Sequence, residues 1–177
     1  MAKNRVKYEG AFTQDTRKTI NDNIPDVSRV TTAFTQSADT TLNNVVGLLT
    51  DTLQPGTYDV DINLITTAGA SGGVKIALKW GTASMITATA LSVQANSAAA
   101  TANTTFTTST DAASILAGTA AYVNVKVRGT ITVAVAGTLQ LQAAQNVSDG
   151  TATTVALGST MSFTPIGATA PLASAIV

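Results

Sequence analysis

Beyond residue 37 apolar and polar residues alternate with a period of two, the pattern of half-buried β-strands rather than helices. In TYDVDINLI, Tyr58, Val60, Ile62 and Leu64 fall on one face and Asp59, Asp61 and Asn63 on the other. The turn signal QPG, with Pro55 and Gly56, precedes this run and closes an earlier apolar segment, LNNVVGLLTDTL. VKIALKW repeats the alternation, with Val74, Ile76, Leu78 and Trp80 opposite Lys75, Ala77 and Lys79. The Gly-rich TTAGASGG joins the two runs, which predicts an antiparallel hairpin closing over residues 66–73.

Farther along, ATALSVQA and NTTFTTST read as strands around the loop NSAAATA, and DAASILAG as a short helix or a bend. YVNVKVRGTITVAVA predicts a long strand bent at Gly129. TLQLQAAQ, ATTVALG and STMSFTPIG bring the total to about eight strands, the spacing of a sandwich or jelly roll. The expected fold is all-β: an antiparallel β-sandwich or jelly roll over 37–168. An extended N-terminal arm, 1–36, precedes it, and a short tail, 169–177, follows.

Charge changes this picture at the N-terminus. Residues 1–30 hold the cations Lys3, Arg5, Lys7, Arg17, Lys18 and Arg29 and the anions Glu9, Asp15, Asp22 and Asp26, with scattered apolar residues that include Tyr8 and Phe12. Lys3, Arg5, Lys7, Tyr8, Phe12, Arg17, Lys18 and Arg29 are the candidate contacts of an arm ordered by a partner. Formal net charge is zero, so no overall field favours nucleic acid or an anionic membrane. KNRVKY is the nearest approach to a basic-aromatic nucleic-acid pattern, and acids soon follow it. A secretory leader is not expected, since no apolar run follows the N-terminal cations. No window approaches 18 uninterrupted apolar residues, so no transmembrane helix is expected.

The chain has no cysteine and no histidine. Thiolate metal sites, cysteine nucleophiles and Ser-His-Asp triads are thereby excluded, along with the commonest general base near neutral pH. The closely spaced carboxylates Asp59 and Asp61 raise the question of a catalytic or metal site. The period of two answers it, because residues two apart on a strand share a face. If the hairpin closes, Asp59 and Asp61 lie beside Lys79 and Lys75. Lys126 and Arg128, opposite Val125 and Val127, extend the charged face. DVDIN lacks the wrapping glycine of a calcium loop, and GASGG lacks the Gly-Lys-Ser/Thr of a phosphate cradle. No catalytic, metal-ligating or cofactor-binding residue is expected, and no cofactor. Much of the apolar content is alanine. At about 25 cal/mol per Å² the interior of a lone chain looks thin, and oligomerisation would add burial.

The order of the segments carries a resemblance. SADTTLNNVVGLLTDTLQPGTYDVDINLITTAGASGGVKIALKWG resembles the opening half of a TNF-like jelly-roll module of tailed-bacteriophage virion proteins. VRGTITVAVAGTLQLQAAQNVSDGTATTVALGSTMSFTPIG resembles its closing half. The resemblance covers about 37–167 and supplies no catalytic residue. It implies a non-enzymatic virion structural protein: a capsid decoration (cement) protein, trimeric, made in the host cytoplasm and bound to the outer capsid surface. The implied partners are the major capsid protein and two sister subunits, with no direct contact to nucleic acid or membrane. A fibre or spike head, or receptor-binding adhesin, is the alternative, with loops 92–118 meeting a host-surface glycan. A carbohydrate-binding β-sandwich is the second.

Overall fold

Among the described residues twelve strands form, most of them where the alternation predicts them. They are β1 (Asp26–Arg29), β2 (Phe34–Gln36), β3 (Asn43–Leu49), β4 (Gly56–Thr67), β5 (Val74–Trp80), β6 (Ile86–Ser97), β7 (Thr101–Phe106), β8 (Ala112–Gly118), β9 (Tyr122–Val133), β10 (Leu139–Ala144), β11 (Thr153–Val155) and β12 (Thr160–Gly167). This computed structural model describes residues 24–69, 71–81, 84–97, 101–106, 112–118 and 122–167. Among them there is no helix. The all-β antiparallel sandwich is therefore as expected, with more strands than the about eight the spacing suggests. The strands not expected are β1 and β2, four and three residues long and too short to display a period, and β8, where DAASILAG reads as a helix or a bend.

One sheet runs β1-β12-β4-β9-β6-β7, with β11 against β4 and β2 against β11; the other runs β3-β10-β5-β8. Three antiparallel pairs are nested in sequence: β3 with β10, β4 with β9, and β5 with β8. Successive pairs alternate between the sheets, so the chain behaves as a two-stranded ribbon folded over itself. That is a jelly-roll winding. The innermost link is the β6–β7 hairpin, whose first strand pairs with β9 and widens the larger sheet.

Two local expectations are overturned. Residues 66–73 do not close a hairpin, because β4 and β5 lie in different sheets. Facing strands of a sandwich aim their apolar rows at the same core, so an arch between sheets produces the same alternation as a hairpin within one. The gap between sheets is about 10 Å, which the few residues between Thr67 and Val74 can span. DAASILAG contributes neither helix nor bend: Ala112–Gly118 is β8, pairing with β5. Tertiary pairing here overrides the helix propensity of its alanines. The stretch 92–118, treated as loops under the fibre-head alternative, is largely β6, β7 and β8, as the strand readings of ATALSVQA and NTTFTTST expect for the first two.

The core is one contiguous cluster fed by both sheets. Tyr58, Val60, Ile62 and Leu64 of β4 and Val125, Val127, Ile131 and Val133 of β9 meet Val74, Ile76, Leu78 and Trp80 of β5 and Leu139 and Leu141 of β10. Phe163 and Met161 of β12 are fully buried in it. Aliphatic side chains, not the sparse aromatics, fill the interior, which is more substantial than the alanine content suggests. The buried Trp80 indole Nε1 has no hydrogen-bond partner among the described residues. Its value to the core is therefore apolar area alone.

Three devices lock the ends and edges. The Tyr58 hydroxyl donates to Gln54 O at 2.7 Å and accepts from Gln54 N at 3.0 Å, bridging the Pro55-Gly56 turn. At the opposite end, the fully buried Gln145 donates from Nε2 to Thr151 O at 2.7 Å and accepts from Asp149 N at 3.1 Å. The Gly72 carbonyl beside it accepts from Asn146 N and Val147 N, which ties the β4–β5 arch to the loop after β10. Mid-strand, Gly129 has φ +142, and a Cβ there would collide with Ala90 O on β6. The predicted bend at this glycine is thus a close approach of two backbones.

Gly129→Ala should destabilise the domain by about 2 kcal/mol or more, from steric overlap plus an unfavourable φ. Gly150→Ala, with nothing within 4 Å of the new Cβ, should stay within about 0.5 kcal/mol of wild type. Chemical denaturation of the two variants checks the contrast. Gln145→Leu is nearly isosteric and leaves Thr151 O and Asp149 N unpaired. It should cost about 2–3 kcal/mol in the same assay.

Candidate functional site

Strand register decides which charged residues share a face. On β4 the buried positions are even-numbered, so Asp59 is exposed and Asp61 half-buried on the outer face of the larger sheet. Asp61 is aligned with Arg128 of β9, and Arg128 with Ser92 of β6. Arg128 Nη2 lies 3.2 Å from Asp61 Oδ2, with both side chains substantially solvated. Lys126, one row away, stands opposite Asn63 and Gln94. Asp59 stands opposite Thr130 and Thr164. Arg29 of β1 is exposed opposite Thr160, in the row that continues through Asn63 to Lys126.

Lys75 and Lys79 are elsewhere. They belong to β5, in the smaller sheet, and share its outward row with Gln140 and Ala144. The expected cross-strand pairing of Asp59 and Asp61 with Lys79 and Lys75 does not form, because the arch between β4 and β5 puts the two groups on opposite faces of the sandwich. Lys75 Nζ instead donates to Thr40 O at 2.7 Å, beside a turn in which Thr41 N donates to Asp39 Oδ1 at 2.8 Å. That backbone N–H, with the Thr41 hydroxyl, holds the Asp39 carboxyl below its ordinary range. A depressed carboxylate stabilises the turn above its unfolded pKa, and the contribution is lost as pH falls through the folded value.

The arm candidates divide. Arg29 is part of a strand, whereas Lys3, Arg5, Lys7, Tyr8, Phe12, Arg17 and Lys18 lie outside the described residues. The segment enters the sandwich at β1, an edge strand of the larger sheet. Asp26, grouped by sequence with the anions of residues 1–30, is buried, and its Oδ2 accepts from Asp51 N at 2.8 Å. Beside it, Gly47 has φ +92, and a Cβ there would strike Arg29 O. These contacts bring the β1 edge of one sheet against the β3 edge of the other.

Around this seam three large aliphatics are exposed: Val27 on β1, and Val46 and Leu49 on β3. The alternation misleads on β3 because a register shift opposite Gln140 to Gln142 flips the inward set from Val45 to Leu48. Gln140 caps that irregularity, with Nε2 at 3.0, 2.9 and 2.8 Å from the carbonyls of Val45, Leu48 and Leu141. Its polar alternation marked an outward residue but not this bonding role. An open groove of about 410 Å³ runs along Arg29, Val30, Thr31, Leu157 and Gly158 at the same edge. Among the described residues no group of three or more carboxylates is placed to hold a metal ion. No helix among them is long and apolar enough to cross a membrane.

Chemically, the described outer face of the larger sheet presents hydroxyls, amides, the solvated Asp61–Arg128 pair, Asp59 and Lys126, with Ile65 and Ile166 exposed among them, while the β1–β3 seam presents three aliphatic side chains beside a cation. The first suits contact with water, the second contact with a partner. A double-mutant cycle at Asp61 and Arg128 should return a coupling below about 1 kcal/mol that shrinks further at high salt. In comparison with known proteins, no family model matches the chain, and neither does any curated protein.

Proposed function

We propose that the chain is a non-enzymatic virion structural protein: a capsid decoration protein that binds the outer surface of a capsid shell as an oligomer, in line with the trimer its resemblance implies. The observation that supports this reading is the point at which the described chain enters the sandwich, at β1 beside the β1–β3 seam. A segment with five cations before residue 20 leads into the seam where Val27, Val46 and Leu49 are exposed. Charged arm and apolar seam together provide what a docking protein needs, electrostatic orientation and buried area. The jelly-roll winding agrees with it, since that architecture recurs in viral capsid and lectin domains.

The mechanism is mechanical. The arm and seam bury surface against the major capsid protein across neighbouring capsomers, and this buried area opposes separation of those capsomers under the pressure of packaged DNA. The sandwich acts as the rigid body through which the load passes. Nothing in this role requires a cofactor, a nucleic acid or a membrane.

A receptor-binding fibre head is the second reading, and the exposed row Ser92, Gln94 and Asn96 on β6 favours it, because amides and hydroxyls suit a glycan. Copy number separates the two: many copies spread over the shell mark a decoration protein, a few at one vertex a fibre.

Deleting residues 2–23 should abolish binding to the parent capsid while leaving far-UV circular dichroism and the unfolding midpoint near wild type. The cut spares β1, its pairing with β12 and the Asp26–Asp51 bond. Undiminished capsid binding by the truncated chain would overturn the arm's role. Extending the deletion to residue 30 should also lower stability, since it removes a strand and the buried Val30.

A further inference from the structure

We propose that β7 is a docking edge for a second copy of this chain, whose own β7 pairs with it antiparallel about a twofold axis and continues the larger sheet across two subunits. β7 ends the strand path of that sheet, and no strand among the described residues pairs with its far side. An open strand edge is a template for another chain, and proteins normally guard it with short length, proline, charge or a bulge.

The other edges are guarded in these ways. β1 is four residues long, follows Pro25 and carries Arg29. β3 is interrupted by a register shift and by Gly47 at φ +92. β8 pairs with β5 through a register shift at Ile76 and Ala77, and β2 is three residues long. β7 has none of these features. TANTTF pairs with Leu91–Asn96 of β6 over six consecutive residues without a shift, and it contains no proline, glycine or charge.

Charge supplies the choice of partner. Residues 80–110 carry no charged side chain, although β6 presents exposed Ser92, Gln94 and Asn96 there and a soluble protein surface is normally about a quarter or more charged. A twofold antiparallel contact places residues near the axis opposite their own copies, so a charge near the axis would meet its like. A neutral, threonine-rich strand meets that condition in any register, whereas an acidic or basic partner would find nothing to complement. The contact is independent of the arm, and a strand paired this way would link two subunits, or two trimers, in twos.

The test uses the full-length protein. Thr105→Lys, in register with the exposed Ser92, puts one cation on each of the two paired strands and should halve the solution mass measured by light scattering, a twofold change, with the unfolding midpoint near wild type. Because the chain has no cysteine, single cysteines scanned across Thr101–Thr105 give a second, independent measurement. Mild oxidation should yield disulfide-linked pairs most strongly at the position nearest the axis and less on either side, with Ser148→Cys, at an exposed loop, as the background. The proposal is overturned if wild type and Thr105→Lys have the same mass, or if no cysteine on β7 cross-links above the Ser148→Cys level.

Discussion

Everything in this molecule depends on two apolar faces having to meet. Each long strand has one inward row, and neither sheet can bury its row without the other. The rows of β4 and β9 on one side and of β5 and β10 on the other meet in a single cluster. Burial on both sides of one interior favours connections that pass between the sheets, because a chain that has finished an inward-facing strand in one sheet finds the remaining apolar surface in the sheet opposite. The nesting of β3–β10, β4–β9 and β5–β8 follows from repeating that step. The cost is many contacts between residues distant in sequence, with loop-closure entropy spent before they form.

How far the sequence discloses this can be traced strand by strand. The inward sets Tyr58-Val60-Ile62-Leu64, Val74-Ile76-Leu78-Trp80 and Leu139-Leu141 are legible because alternation persists for several residues and one face is fully buried. Sheet membership is not legible: period reports which side faces the core, and both sheets face the same core. Asp59 and Asp61 were therefore readable as outward, while their partner was not, and Arg128 holds Asp61 where Lys75 and Lys79 were expected. Short strands fail for a different reason. β1 and β2 are specified by their neighbours β12 and β11, not by a pattern of their own.

The residues hardest to foresee are polar ones that do structural work. Gln140, Gln145 and Asp26 resemble ordinary surface residues in sequence, yet each satisfies backbone groups where regular pairing breaks down. Buried backbone donors and acceptors need partners, and the need is greatest at bulges, arches and seams. Such sites cannot be located until the topology is known, since it is the topology that leaves those groups unpaired. Gly47 and Gly129 follow the same logic in steric form: each marks a place where two backbones approach too closely for a Cβ.

The distribution of charge then separates the surfaces by use. An exposed face held by one solvated ion pair gains little stability from it, and the hydroxyls and amides around Asp61 and Arg128 keep that face wetted. The margins of the sandwich differ from the face and from one another. The β1–β3 margin is closed by backbone contact and lined with aliphatic side chains beside Arg29, whereas the β7 margin is regular and neutral and, among the described residues, has no strand on its far side. A lone soluble domain has reason to avoid both conditions, because the first exposes apolar area and the second exposes a pairing template. Finding them on opposite ends of one sheet argues that contacts with other molecules are made edge-on.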